Sequence, residues 1–222
     1  MTIQKNRREA AKQIKGRRAM LAGLGAVATA GALGVRAAQA QAVSVSVPFT
    51  PTLHTEDAWM SGIRGTHRIV LDVTTPEGVP DGIRFAGNLF TAHKTGYGVD
   101  EADVAIILCL RHAATGYGYG DAIWSKYGKT IEAKTTPPPT ANPFNSGGRT
   151  QLTELAKRGV QFMVCGTASR GLAGRIAGPG GDADVVLKEL SADLIPSARI
   201  VAAGVVGVVH AQERGFSLVY VG

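Results

Sequence analysis

The chain has 222 residues, 45% of them apolar and 18% charged, which suits one globular domain with extras and is enough to bury a core. Its net charge of +7 looks like a nucleic-acid signal, yet all of it sits at the front: residues 1–42 hold eight Lys/Arg (Lys5, Arg7, Arg8, Lys12, Lys15, Arg17, Arg18 and Arg36) against Glu9 alone, and the remainder holds sixteen basic and sixteen acidic residues. No basic field is left to steer a polyanion, which argues against nucleic acid as a partner.

Residues 1–42 have the layout of an export signal. A basic segment ends at Arg17-Arg18, an apolar Gly/Ala-rich run extends from Ala19 to Val35, and Ala38-Gln39-Ala40 offers a small-residue cleavage site. The paired arginines and weak hydrophobicity point to the twin-arginine route, which moves folded proteins, so the expected location is the periplasm. The run is short and Gly-rich for a permanent span, and contact with a membrane is expected only through an uncleaved leader.

Residues 43–66 alternate briefly (Val43-Ser44-Val45-Ser46-Val47) and break at Pro48 and Pro51, predicting an extended arm or edge strand. The domain proper is expected over 67–222. A β-branched run from His67 to Val73 gives a first strand, and Asp81 to Phe90 a helix capped by Asp81 and closed by Thr95-Gly96-Tyr97-Gly98. Val104 to Leu110 is a second strand whose unbroken apolar character requires cover on both faces. Arg111 to Gly120, with its alternating glycines and tyrosines, reads as loop, and Asp121 starts a helix carrying Ile123, Trp124 and Tyr127.

Lys134 to Gly148 is a proline-stiffened excursion, and Thr150 to Arg158 a helix ending at Gly159. Gln161 to Cys165 reads as a buried parallel strand. Arg170 to Gly181 reads as a flexible glycine-rich segment able to cover the end of that strand. A short helix over Asp184 to Leu190, a strand over Arg199 to Ala203, an apolar helix over Val205 to Gln212 and a last strand over Phe216 to Val221 complete the chain. Strands alternating with helices predict α/β with a five-stranded parallel sheet.

The chemistry suggested by this order centres on Cys165, at the carboxyl end of a strand, where open α/β sheets bind ligands. If the strands 104–110 and 161–165 are neighbours, Arg111 and His112 come close to Cys165, and a cationic or hydrogen-bonding neighbour promotes the thiolate, the nucleophilic form. Thr167 and the amides after Gly166 are candidates to hold the resulting anion. Plainer readings stand beside these: a salt bridge for Arg111, a structural role for His112, and core packing for Cys109, mid-strand. A Cys109–Cys165 disulfide is a further, less favoured alternative.

Other chemistries lack their motifs. There is no Cys-x-x-Cys, no Gly-x-Ser-x-Gly, no phosphate-binding glycine loop, and no pair of Cys or His at helical ligand spacing, so neither a metal nor a cofactor is expected. Tyr117, Tyr119 and Trp124 could instead line a pocket for a small ligand or partner chain, in a protein that does no chemistry. In a third reading the Val205 to Val209 helix packs in an oligomer of purely structural subunits.

Val164-Cys165-Gly166-Thr167 followed by Arg170-Gly171, the preceding Leu152-Thr153-Glu154-Leu155-Ala156-Lys157-Arg158-Gly159-Val160, and the closing Ile200-Val201-Ala202-Ala203-Gly204 to Gln212-Glu213-Arg214-Gly215-Phe216 together resemble the DsrE/DsrF-like family of sulfur oxidation and sulfur relay. Leu110 to Thr115 with Asp121 to Tyr127 resembles a poorly understood branch of it. The resemblance spans about residues 67–222. It implies a three-layer α/β/α (DsrEFH-like) domain with the second and third strands side by side, assembly as a homo-oligomer, and a cysteine at the end of the third strand, Cys165, that accepts sulfur as a persulfide. The function expected is sulfur trafficking, with a sulfur donor or acceptor protein or a small sulfur compound as partner. The residues expected to carry it are Cys165, His112 and Arg111, with Gly166, Thr167, Arg170, Tyr117 and Tyr119 binding the ligand.

Overall fold

The computed structural model of the chain describes residues 49–145 and 151–222. The leader expected over 1–42, the first part of the arm and the start of the helix expected from Thr150 lie outside the described residues.

Five β-branched or apolar runs form the strands β1 (His67–Val73), β2 (Val104–Leu110), β3 (Gln161–Cys165), β4 (Ala198–Val201) and β5 (Ser217–Tyr220). All pair in parallel, in the order β4-β3-β2-β1-β5. Successive side chains point to opposite faces, and each face has its own core. Ile69, Leu71, Ile106, Leu108, Leu110, Phe162 and Val164 belong to one; Val70, Ala105, Ile107, Cys109, Met163 and Val201 belong to the other. Every position of β2 is buried, as a strand covered on both faces requires.

The helices divide between those faces. Against the first pack α2 (Gly78–Tyr97), α3 (Asp121–Ile131), α4 (Leu152–Lys157), α5 (Gly166–Ala177) and α6 (Ala183–Ala192), through Ile83, Phe90, Trp124, Leu155, Leu172 and Leu190 among others. Against the second pack α7 (Gly204–Glu213), through Val208 and Ala211, and the short α1 (Ala58–Ser61), through Met60. The fold is thus α/β with a five-stranded parallel sheet, as the strand–helix alternation indicates, and it has the three layers that the resemblance implies. The split follows from handedness: β1 to β4 advance across the sheet in one direction, β5 returns to the far side of β1, and right-handed crossovers in opposite directions put their helices on opposite faces.

Four local expectations change. Residues 55–61 are not an extended arm. They form a 3₁₀ turn and α1, and Met60 is fully buried, because among the other described residues only α7 covers the second sheet face and exposed apolar surface there would be costly. The helix expected at 81–90 runs from Gly78 to Tyr97; Pro80 is tolerated in its first turn, where the missing N–H has no helical partner, and Gly98, at φ +69°, ends it in the left-handed region.

The glycine–tyrosine run is a 3₁₀ stretch, His112–Gly118, buried from Ala114 onward. Its glycines serve packing: a Cβ on Gly116 would lie 2.4 Å from Ile131 Cγ2, and one on Gly118 2.4 Å from Val164 Cγ2. Finally, Arg170 to Ala177 is helical, part of α5, which Leu172 and Ala173 anchor despite the helix cost of its glycines. Among the described residues no helix is long and apolar enough to cross a membrane.

Candidate functional site

The ladder between β2 and β3 pairs Ile107 with Gln161 and Leu110 with Val164; one step further it sets Arg111 beside Cys165. Both residues continue the alternation of Cys109 and Met163 and so belong to the α7 face. The β1 ladder adds Asp72, opposite Cys109 on that face. Four chemically active side chains, Asp72, Cys109, Arg111 and Cys165, therefore gather at the carboxyl edge of the sheet under the first turn of α7.

Gly204, the first residue of α7, permits the close approach. A Cβ there would lie 2.4 Å from Arg111 Cβ and 3.2 Å from Cys165 Cβ. Its carbonyl accepts the Cys109 thiol at 3.7 Å. The Arg111 guanidinium turns toward β1 and makes a two-pronged pair with Asp72, Nε to Oδ1 at 2.6 Å and Nη2 to Oδ2 at 2.8 Å. Asp72 is only 4% exposed, so this carboxylate depends on Arg111 for compensation, and its hydrogen bonds hold the guanidinium pKa above its ordinary value. The salt-bridge reading of Arg111 is what the geometry contains, with Arg111 and Cys165 both under Gly204.

Cys165 ends β3 and serves as the N-cap of α5, its Sγ accepting the backbone N–H of Ala168 at 3.4 Å. Its carbonyl accepts the Ser169 hydroxyl at 2.8 Å, and Ser169 in turn accepts the Tyr119 hydroxyl at 2.6 Å. This buried chain fixes the turn from strand to helix. Burial pushes the Tyr119 pKa up to about 12. The sulfur lies at a switch in topology, because β3 leads into α5 on one sheet face while the adjacent β4 leads into α7 on the other, and such crevices are where open α/β sheets take ligands. Cys165 is 7% exposed. Cys109 is sealed, and burial with the added repulsion of Asp72 pushes its thiol pKa far up; both cysteines are free.

The remaining site expectations divide. Gly166 closes the crevice, since a Cβ on it would meet the Val201 carbonyl oxygen at 2.6 Å, and Thr167 donates its hydroxyl to the Ala202 carbonyl at 3.3 Å. Arg170 is exposed on α5. His112 is exposed as well, at φ +56°, with no side-chain hydrogen bond among those of the described residues. It lies beyond the end of β2, at the start of the 3₁₀ stretch.

Tyr117 and Tyr119 do not line an open ligand site. Both are core residues, 2% and 0% exposed. Tyr117 packs on Trp124 and Phe144 and donates to Glu132, and Tyr119 touches the thiol region only from behind, through Ser169. The space beside the flanking glycines Gly116 and Gly118 is filled by Ile131 and Val164. Among the described residues no group of three or more His, Cys, Asp or Glu is placed to hold a metal ion.

Asp72, Ser169 and Gly204 are the site residues missed by sequence reasoning. A usable signal existed for Asp72: an acid inside Ile69-Val70-Leu71-Asp72-Val73 must be buried with a partner.

No family model and no curated protein matches the chain. Among solved structures it is similar to a protein of unknown function from Methanobacterium thermoautotrophicum, with a TM-score of 0.41 and 18% identity, covering 69% of this chain and 98% of that one.

Proposed function

We propose that the protein traffics sulfur, accepting a sulfane sulfur on Cys165 and passing it on. The observation that supports this reading most is the placement of the Cys165 sulfur: it caps α5 at the switch crevice, with the Ala168 N–H on it at 3.4 Å and Arg111 alongside. A helix N-terminus offers N–H donors and a favourable dipole to an anion, which is what a persulfide is once its terminal sulfur is deprotonated.

In the transfer, the Cys165 thiolate attacks the outer sulfur of a donor R–S–SH. The donor S–S bond breaks, R–S⁻ leaves with the electron pair, and Cys165 carries –S–SH. An acceptor thiolate then attacks that outer sulfur and Cys165 leaves as thiolate, so no net oxidation occurs. Arg111 follows the strand next to Cys165 while Asp72 holds its guanidinium, and His112 and Arg170 are exposed, open to a donor or acceptor protein or a small sulfur compound. The setting we propose is a homo-oligomer in the periplasm.

Intact-protein mass spectrometry after exposure to polysulfide tests this directly. A gain of one sulfur atom is expected in the wild type and in Cys109→Ala, and none in Cys165→Ser; an unmodified wild type would sink the proposal. A binding protein without chemistry is the second reading, and the 7% exposure of Cys165 favours it. Under that reading iodoacetamide leaves Cys165 unlabelled in the folded protein.

A further inference from the structure

We propose that a second site, distinct from the Cys165 crevice, binds a small organic carboxylate with an apolar body. It occupies a cavity of about 600 Å³ between β4, α7 and the N-terminal turns, within the size range of small-molecule sites. Cys165 and Arg111 do not line it.

The cation is Arg199. Its guanidinium packs 4.3 Å above the Trp59 ring, which fixes its plane and pre-organises its fork. Among the described residues it makes no hydrogen bond or ion pair, and its Nε is buried without an acceptor, so the group carries donors that none of those residues satisfies. Two acids also line the cavity. Asp57 pairs with His210 Nδ1 at 2.6 Å, and Glu56 accepts the Thr55 hydroxyl at 3.3 Å.

The apolar part of the lining is suited to hydrocarbon. Val201 and Val206 flank the cavity with Trp59, and Val206 is 40% exposed although it lies on the inner rim. One unsatisfied planar cation at the end of an apolar trough takes a ligand with a matching planar anion and an apolar tail, which describes a carboxylate better than a tetrahedral anion. His210, held by Asp57, is stacked on His54 with ring centroids 5.2 Å apart and lines the same cavity.

Trp59 reports occupancy, because the other tryptophan, Trp124, is fully buried and contributes a constant background. The full chain is titrated with pentanoate, with neutral pentanamide and with sulfate, at fixed ionic strength. Pentanoate should change Trp59 emission saturably, and pentanamide should bind about tenfold more weakly or worse, for loss of charge-assisted hydrogen bonds. Arg199→Met should abolish the pentanoate response, and Cys165→Ser should leave it intact. Should Arg199→Met fail to fold, Val206→Glu decides in its place, since it puts a carboxylate at the rim of the cavity from an exposed position and should exclude pentanoate. No saturable response in the wild type, equal binding of pentanamide or of sulfate, or an unchanged response in the deciding variant would each overturn the proposal.

Discussion

Gly204→Ala and Gly174→Ala are the same substitution on two helices, and they should change stability in opposite directions. At Gly174, on the exposed side of α5, an added Cβ meets nothing within 4 Å, so only helix propensity acts and the variant should gain about 0.5–1 kcal/mol. At Gly204 the Cβ would lie 2.4 Å from Arg111 Cβ, 3.1 Å from its Cδ and 3.2 Å from Cys165 Cβ. The nearest of these atoms is close to the backbone and cannot swing away, so overpacking of about 1–3 kcal/mol applies. It exceeds the propensity gain, leaving a net loss of about 1–2 kcal/mol. For a domain of this size each kcal/mol moves Tm by about 2–4 °C, so thermal melts should show Gly204→Ala several degrees below the wild type and Gly174→Ala slightly above it. A Gly204→Ala protein as stable as the wild type would refute the close packing of α7 on the site.

Removing either partner of the Arg111–Asp72 pair should be unequal in effect. Arg111→Met strands a carboxylate 4% exposed and should cost about 3 kcal/mol or more, whereas Asp72→Ala leaves a guanidinium whose side chain is 26% exposed and can reach water, so its cost should be smaller; urea melts of both variants check the order. Cys109 should resist iodoacetamide at neutral pH until the protein unfolds, since burial raises its pKa and hides it; labelling of the native protein at Cys109, read by peptide mapping, would contradict this. Ser169→Ala should destabilise more than Tyr119→Phe, by about 1 kcal/mol, because it leaves the buried Tyr119 hydroxyl without an acceptor while the converse change leaves Ser169 donating to the Cys165 carbonyl. Tyr119 also makes stability fall with pH between about 10 and about 12: in that window the unfolded chain has released the phenol proton and the folded one retains it. Alkaline unfolding of Tyr119→Phe should be correspondingly shallower there.

The layer order and the strands were legible because they rest on unbroken apolar runs such as Val104 to Leu110 and Gln161 to Cys165, whose meaning does not depend on distant residues. Helix limits were less so, since Gly78, Pro80 and Gly96 carry weak or breaking propensities that tertiary packing overrides in α2. Glycine misled twice in the same way. Gly116 and Gly118 suggested an open loop and Gly171 to Gly174 a flexible cover, but the first pair makes room for Ile131 and Val164, and the second lies in a regular helix. The adjacency of Arg111 and Cys165 could be read from strand order. The pairing of Arg111 with Asp72 could not be read from strand order alone, because it needs the register of a third strand. Nothing local marked Gly204, which lies 39 residues beyond Cys165.

Cyanide cleaves persulfide sulfur from a protein as thiocyanate, so cold cyanolysis of the sulfur-loaded chain counts the sulfur that Cys165 carries. One equivalent per chain is expected from the wild type and from Cys109→Ala, and none from Cys165→Ser. Thiocyanate in equal yield from Cys165→Ser, or none from the wild type, would contradict sulfur transfer through Cys165.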